Sequence, residues 1–165
     1  MPNPGSTSEL RDSLTGCRRY RDAVAEGPTL YERVGGMPFF ERLVDTFYDG
    51  VAGDPALVAL YPDAPDLSGA RHRLTLFLAQ YWGGPTTYSE ERGHPRLRLR
   101  HMRFPIGPAE RDRWLHHMTA AVEAVTAELP PPDDGEVRDA LLGYFLPAAE
   151  QLRNDTGLPI SSARR

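Results

Sequence analysis

Cysteine is nearly missing from this chain: Cys17 is the single one, so neither a disulfide framework nor a cysteine-rich metal site can form within one chain. Long apolar runs are missing as well. None approaches the roughly 20 residues that cross a bilayer, and residues 1–28 lack the apolar centre of a secretory signal. Lysine is absent, all 19 basic residues being arginine, and the formal charge is only −4. Acids are scattered among the arginines except at the short run Arg96, Arg98, Arg100, which argues against nucleic acid as a partner. No segment alternates apolar and polar residues long enough to make a strand, and no repeat has a solenoid period. These absences leave a protein of the reducing cytoplasm with no membrane span.

What is present reads as helix. With 165 residues, 40% of them hydrophobic and 25% charged, the chain can bury one sizeable core. Residues 1–28 are rich in Pro, Gly, Ser and Thr and are expected to be a flexible leader, with at most a brief turn over Leu14 to Val24. The folded domain is expected over 29–154 and a flexible tail over 155–165. Thr29 can cap a short helix that Gly35-Gly36 ends. Pro38 suits the first turn of the next helix, where Phe40, Leu43, Val44, Phe47, Tyr48 and Val51 make one apolar face. Asp54-Pro55 opens a short helix that closes before Pro62, leaving Tyr61 at a corner. Asp66 can cap a helix carrying Leu67, Ala70, Leu74, Phe77, Leu78 and Tyr81 up to Gly83-Gly84-Pro85. From Thr86 to Arg100 the pattern predicts a loop leading into a single short helix. A long helix follows Gly107-Pro108, with Trp114, Met118, Ala121, Val122 and Val125 inward, and Asp133 with Glu136 predicts a capping box for the last one. The fold class is all-α.

An iron porphyrin held between helices needs an apolar slot, one axial imidazole, cationic or hydroxyl groups for its propionates, and chosen polar groups above the metal. His101 lies one helical turn from Leu97, which points its imidazole to the apolar side while Arg98 favours water. Taken alone it reads first as an ordinary satisfied histidine, and Tyr48 and Trp114 read first as core aromatics. Phe47, Phe77, Leu97, Phe104 and Ile106 can wall a porphyrin or simply fill a core. The adjacent His116 and His117 point about 100° apart on a helix, and with His94 they find no Cys or carboxylate to complete a tetrahedral zinc site. His72 falls on a polar face and carries no role.

Several motifs together narrow these choices. They are Val34-Gly35-Gly36, Phe47-Tyr48, Tyr61-Pro62, Gln80-Tyr81-Trp82-Gly83-Gly84-Pro85, Tyr88 with Arg92 through Arg98, His101, and Trp114 after Glu110-Arg111-Asp112. From Leu30 to about Asn154 the chain resembles a group II truncated hemoglobin, a two-over-two helical globin around heme b. The resemblance implies His101 as the proximal iron ligand, Tyr48 and Tyr61 as distal tyrosines and Trp114 as the distal tryptophan, with Leu74 and Ala70 facing the ligand. Resemblance and charge together favour Arg100 for a propionate, with Tyr88 and Arg92 as further contacts. Dioxygen or another diatomic gas is the implied ligand, held by phenol and indole donors. Nitric oxide dioxygenase or peroxidase chemistry is the enzymatic alternative, and a heme-free helical interaction module the third. Without a flavin or nicotinamide domain in the chain, any redox cycle implies an external reductase.

Overall fold

The structure, a computed structural model, describes residues 27–155, so most of the expected leader, with Leu14 to Val24 and Cys17, and nearly all of the tail lie outside the described residues. Among the described residues eight helices follow in order: α1 Leu30–Arg33, α2 Met37–Ala52, α3 Pro55–Val58, α4 Ser68–Tyr81, α5 Thr87–Arg92, α6 Leu97–His101, α7 Pro108–Thr126 and α8 Asp133–Gln151. No strand occurs among the described residues.

Local chemistry sets most boundaries. Thr29 closes a full capping box with Glu32, its hydroxyl accepting from Glu32 N at 3.2 Å and its own N–H donating to Glu32 Oε2 at 2.8 Å. Gly35 and Gly36 then end α1 at positive φ, with Gly36 N–H reaching Tyr31 O (2.8 Å) and Gly35 N–H reaching Glu32 O (3.2 Å). The same paired bonds end α4, from Gly84 to Ala79 O and from Gly83 to Gln80 O. A side chain at Gly84 would meet the Ala79 carbonyl at 2.7 Å, so only glycine fits this turn. Asp54 caps α3 through Ala56 N and Leu57 N, with Pro55 in the first turn.

Helix α2 is the axis of the core. Its Phe39, Phe40, Leu43, Val44, Phe47 and Val51 are fully enclosed, and it packs against α4 on one side and α7 on the other. Helix α7 in turn packs on α8 through Met118, Ala121, Val122 and Val125 facing Val137, Leu141 and Phe145. Each such enclosed side chain contributes about 1.5–3 kcal/mol relative to exposure. The result is the two-over-two arrangement expected.

Three expectations are corrected. The stretch 86–100 holds two helices, not one, because Gln80 of α4 bonds Ser89 at N (3.0 Å) and Oγ (2.7 Å) and so props α5 against the core. Asp133 and Glu136 do not form a capping box. Asp133 is already helical behind Pro132, and both carboxylates bind the Arg33 guanidinium, tying α1 to the start of α8. Asp66 acts one residue before the helix boundary, accepting from Ser68 N at 2.9 Å while Leu67 holds the cap position.

Candidate functional site

Helix α2 presents Phe47 and Tyr48 side by side, both buried, with ring centroids 4.9 Å apart and edges to faces. Tyr61, at the corner after α3, meets Tyr48 edge-on at 5.7 Å. Trp114 of α7 meets Phe47 at 5.2 Å and Phe145 of α8 at 5.8 Å. The three residues expected around a gas ligand therefore share one unbroken row of rings, Tyr61–Tyr48–Phe47–Trp114. Such contacts add about 0.5–1.5 kcal/mol per pair beyond burial.

The row is polar at chosen points. Burial pushes the Tyr48 phenol well above its ordinary range, and the neighbouring Tyr61 adds to this. Burial also raises Tyr61, with the Tyr48 phenol partly offsetting it. Both phenols keep their protons at any physiological pH and remain donors. Ala70 and Leu74 of α4 pack, partly buried, on the same core.

The remaining candidate residues sit mostly on short elements. His101, the last residue of α6, is half-buried, and its Nδ1 lies 2.7 Å from Leu97 O. A carbonyl only accepts, so Nδ1 is the donor in this bond and Nε2 is the nitrogen not taken up by backbone. A backbone-held Nδ1 fixes the ring's orientation, the arrangement that a ligating imidazole needs. Phe104 follows with its ring 6.5 Å from the imidazole. Tyr88, buried on α5, packs edge-on against Phe77 of α4 at 5.5 Å. Leu97 is partly buried against the core, Ile106 is half-buried, and Arg92 is exposed. Arg100 turns its guanidinium onto the carbonyls of Pro95 and Arg92, both at 2.8 Å, and so closes the loop before α6.

His72 is exposed and bonds Glu91. Among the described residues no cluster of three His, Cys, Asp or Glu suited to a bare metal ion occurs. His117 instead donates to Asp54 Oδ2 at 3.1 Å, beside a cavity of about 620 Å³ lined also by Arg113 and His116 that shares no residue with the aromatic row.

The sequence model of the bacterial-like globins matches residues 29–137, two thirds of the chain. The chain belongs to the bacterial-like globins, among the group II truncated hemoglobins. This globin is 40% identical over 126 residues to group 2 truncated hemoglobin YjbI of Bacillus subtilis, covering 76% of this chain and 89% of that one. A thermostable hemoglobin from Thermobifida fusca superposes with a TM-score of 0.69 at 50% identity, over 78% of this globin and 99% of that chain. A truncated oxygen-avid haemoglobin from Bacillus subtilis gives 0.67 at 38%, over 77% and 100%.

Two residues of this globin's candidate site carried no signal in sequence. Arg71 of α4 binds Asp45 and Asp49 of α2 at 3.0 and 2.7 Å and lies 5.6 Å over the Tyr48 ring, locking α4 to α2 beside the tyrosines. Asn154 clamps the segment after His101. Its Nδ2 donates to the carbonyls of His101 (3.2 Å) and Phe104, and its Oδ1 accepts from Ile106 N at 2.9 Å.

Proposed function

We propose that this globin binds dioxygen, or another diatomic gas, at a ferrous heme b held by His101, with Tyr48, Tyr61 and Trp114 donating to the bound gas. The observation that carries this is the Nδ1–Leu97 O bond of 2.7 Å, which leaves Nε2 of a half-buried histidine free to ligate. Heme supplies the iron that takes the gas. The chain's own side chains do the rest. Phe47, Phe77, Leu97, Phe104 and Ile106 keep water away. Tyr88, Arg92 and Arg100 would hold the propionates, and Ala70 and Leu74 would leave the ligand side apolar and open.

Purified protein should show a Soret band with about one heme per chain, and His101→Ala should lose most of it. Full heme content with an unchanged ferrous spectrum in that variant would remove His101 from the site. Peroxide turnover is a second reading, favoured by one observation: the aromatic row continues from Trp114 through Phe145 and Tyr144 to the exposed Tyr81, whose ring stands 4.2 Å from that of Tyr144. An external reductase and a cytoplasmic setting complete the proposal. Among the described residues no helix is long and apolar enough to cross a membrane.

A further inference from the structure

Between Glu91 and Glu110 the chain has no carboxylate, yet it carries Arg92, Arg96, Arg98, Arg100 and Arg103. All 23 acids and the other 14 of its 19 arginines lie outside this stretch. The rest of the molecule is therefore clearly negative and this segment purely positive. Among the described residues every arginine–carboxylate ion pair uses an arginine from elsewhere.

Two further observations separate this from an ordinary solvated basic face. Leu99 and Met102, on and just after α6, are 59% and 39% exposed, two of only four large apolar side chains so exposed among the described residues. Among the described residues Arg96 is the one other than glycine at positive φ, at 42°, where Gly or Asn is favoured. A charged side chain is thus kept at a backbone position that disfavours it.

We propose that Arg96, Arg98, Leu99, Met102 and Arg103 form the docking surface for an acidic electron-donor protein of the flavin or iron–sulfur class. The inference rests on His101 as the heme ligand. A small apolar centre ringed by one sign of charge suits a transient redox partner, for which charge sets orientation and encounter rate rather than lasting affinity. Its placement on the five-residue helix that ends in His101 brings such a partner over the proximal side. One electron crosses, the donor is oxidised by one equivalent, and ferric iron becomes ferrous, with no bond made or broken. An anionic membrane is the weaker fit, because two apolar residues on so short a helix offer little to bury.

The test uses heme-loaded ferric protein and a reduced acidic flavodoxin as probe. Affinity is measured by calorimetry with the oxidised probe, and the reduction rate by stopped flow under carbon monoxide, at low and at about 0.15 M ionic strength. Expected is a steep fall of both with salt, and a loss of about tenfold in both for Arg98→Glu/Arg103→Glu at low salt. Arg138→Glu, the same charge change per residue on α8, should stay within about twofold. A Soret spectrum and heme content matching wild type in the double variant separate docking from heme binding. Salt-independent reduction, equal loss in the Arg138 control, or binding of the wild type but not the double variant to phosphatidylglycerol vesicles with no effect on the flavodoxin would each overturn the proposal. A wild type with no Soret band would overturn the heme reading and this inference with it.

Discussion

The two sides of the candidate heme pocket are built by different physics. The distal side is centred on the long helices α2 and α7: Phe47 is fully enclosed, Tyr48 nearly so, and the half-buried Trp114 and the corner residue Tyr61 pack against them. The proximal side is made of α5 and α6, six and five residues long, and α6 buries no residue fully. Its shape is held by polar bonds: His101 to Leu97 O, Arg100 to two carbonyls, and Asn154 across the following turn. Packing positions the proposed distal donors, and hydrogen bonding positions the imidazole. Damage on the distal side should therefore appear in stability and ligand kinetics, and damage on the proximal side in cofactor retention.

Phe47→Ala tests the distal half most severely. Removing a fully enclosed ring that supports both Tyr48 and Trp114 should cost about 3–5 kcal/mol, read as a lower urea midpoint at unchanged slope. A loss under about 1 kcal/mol would mean the row is not held by packing. Next in size, Trp114→Phe should speed dioxygen release about ten- to a hundredfold, equivalent to losing one donor worth roughly 1.5–3 kcal/mol. Tyr48→Phe should do less, because Tyr61 stands against it and can take over. Displacement of oxygen by carbon monoxide ranks the two; an unaltered rate in Trp114→Phe beside a fast Tyr48→Phe would make the tryptophan plain packing.

On the other side, Asn154→Ala removes a clamp of three hydrogen bonds at an exposed site. About 1–2 kcal/mol of stability should go, while transfer of heme to an acceptor globin accelerates and oxygen release stays as in wild type. If oxygen release changes instead, the division between the two sides fails. The smallest effect is expected at Asp54. The His117 hydrogen bond first, and Arg113 with the Leu57 N–H after it, hold this carboxyl below its ordinary value. A depressed folded value means stability that is present above the unfolded value of about 3.9 and is lost as pH falls through the folded one. Asp54→Asn should lower the melting temperature slightly at neutral pH, where the ionised carboxyl contributes, flatten the acid limb of a thermal melt series, and converge with wild type once pH falls below the folded value.

How much of this was legible in sequence follows the same division. The Thr29 capping box, the Gly35-Gly36 and Gly83-Gly84 stops and the Asp54-Pro55 start are local devices, so each reads from a few adjacent residues. The α2 stripe reads from its period, and the distal aromatics sit on elements that local rules place correctly. Helix α5 did not read, because its sequence is polar and its support comes from Gln80 on another helix. The Asp133–Glu136 box misread for the mirror reason: Arg33, 100 residues earlier in the chain, takes the carboxylates that would have capped the helix. Arg71 and Asn154 give no local signal at all. Both act through partners that no window of sequence contains.

Asn154 has one more consequence, for the order in which parts of the molecule open. It reaches His101 across 53 residues and sits just beyond the end of α8, where helices fray first. Amide hydrogen exchange in 97–106 should then follow the opening of the C-terminal turn rather than global unfolding, in a small cooperative unit well below the stability of α2. The segment that carries His101 would then loosen whenever that last turn lets go, so the residue just after α8 acts as a latch on a histidine 53 residues away.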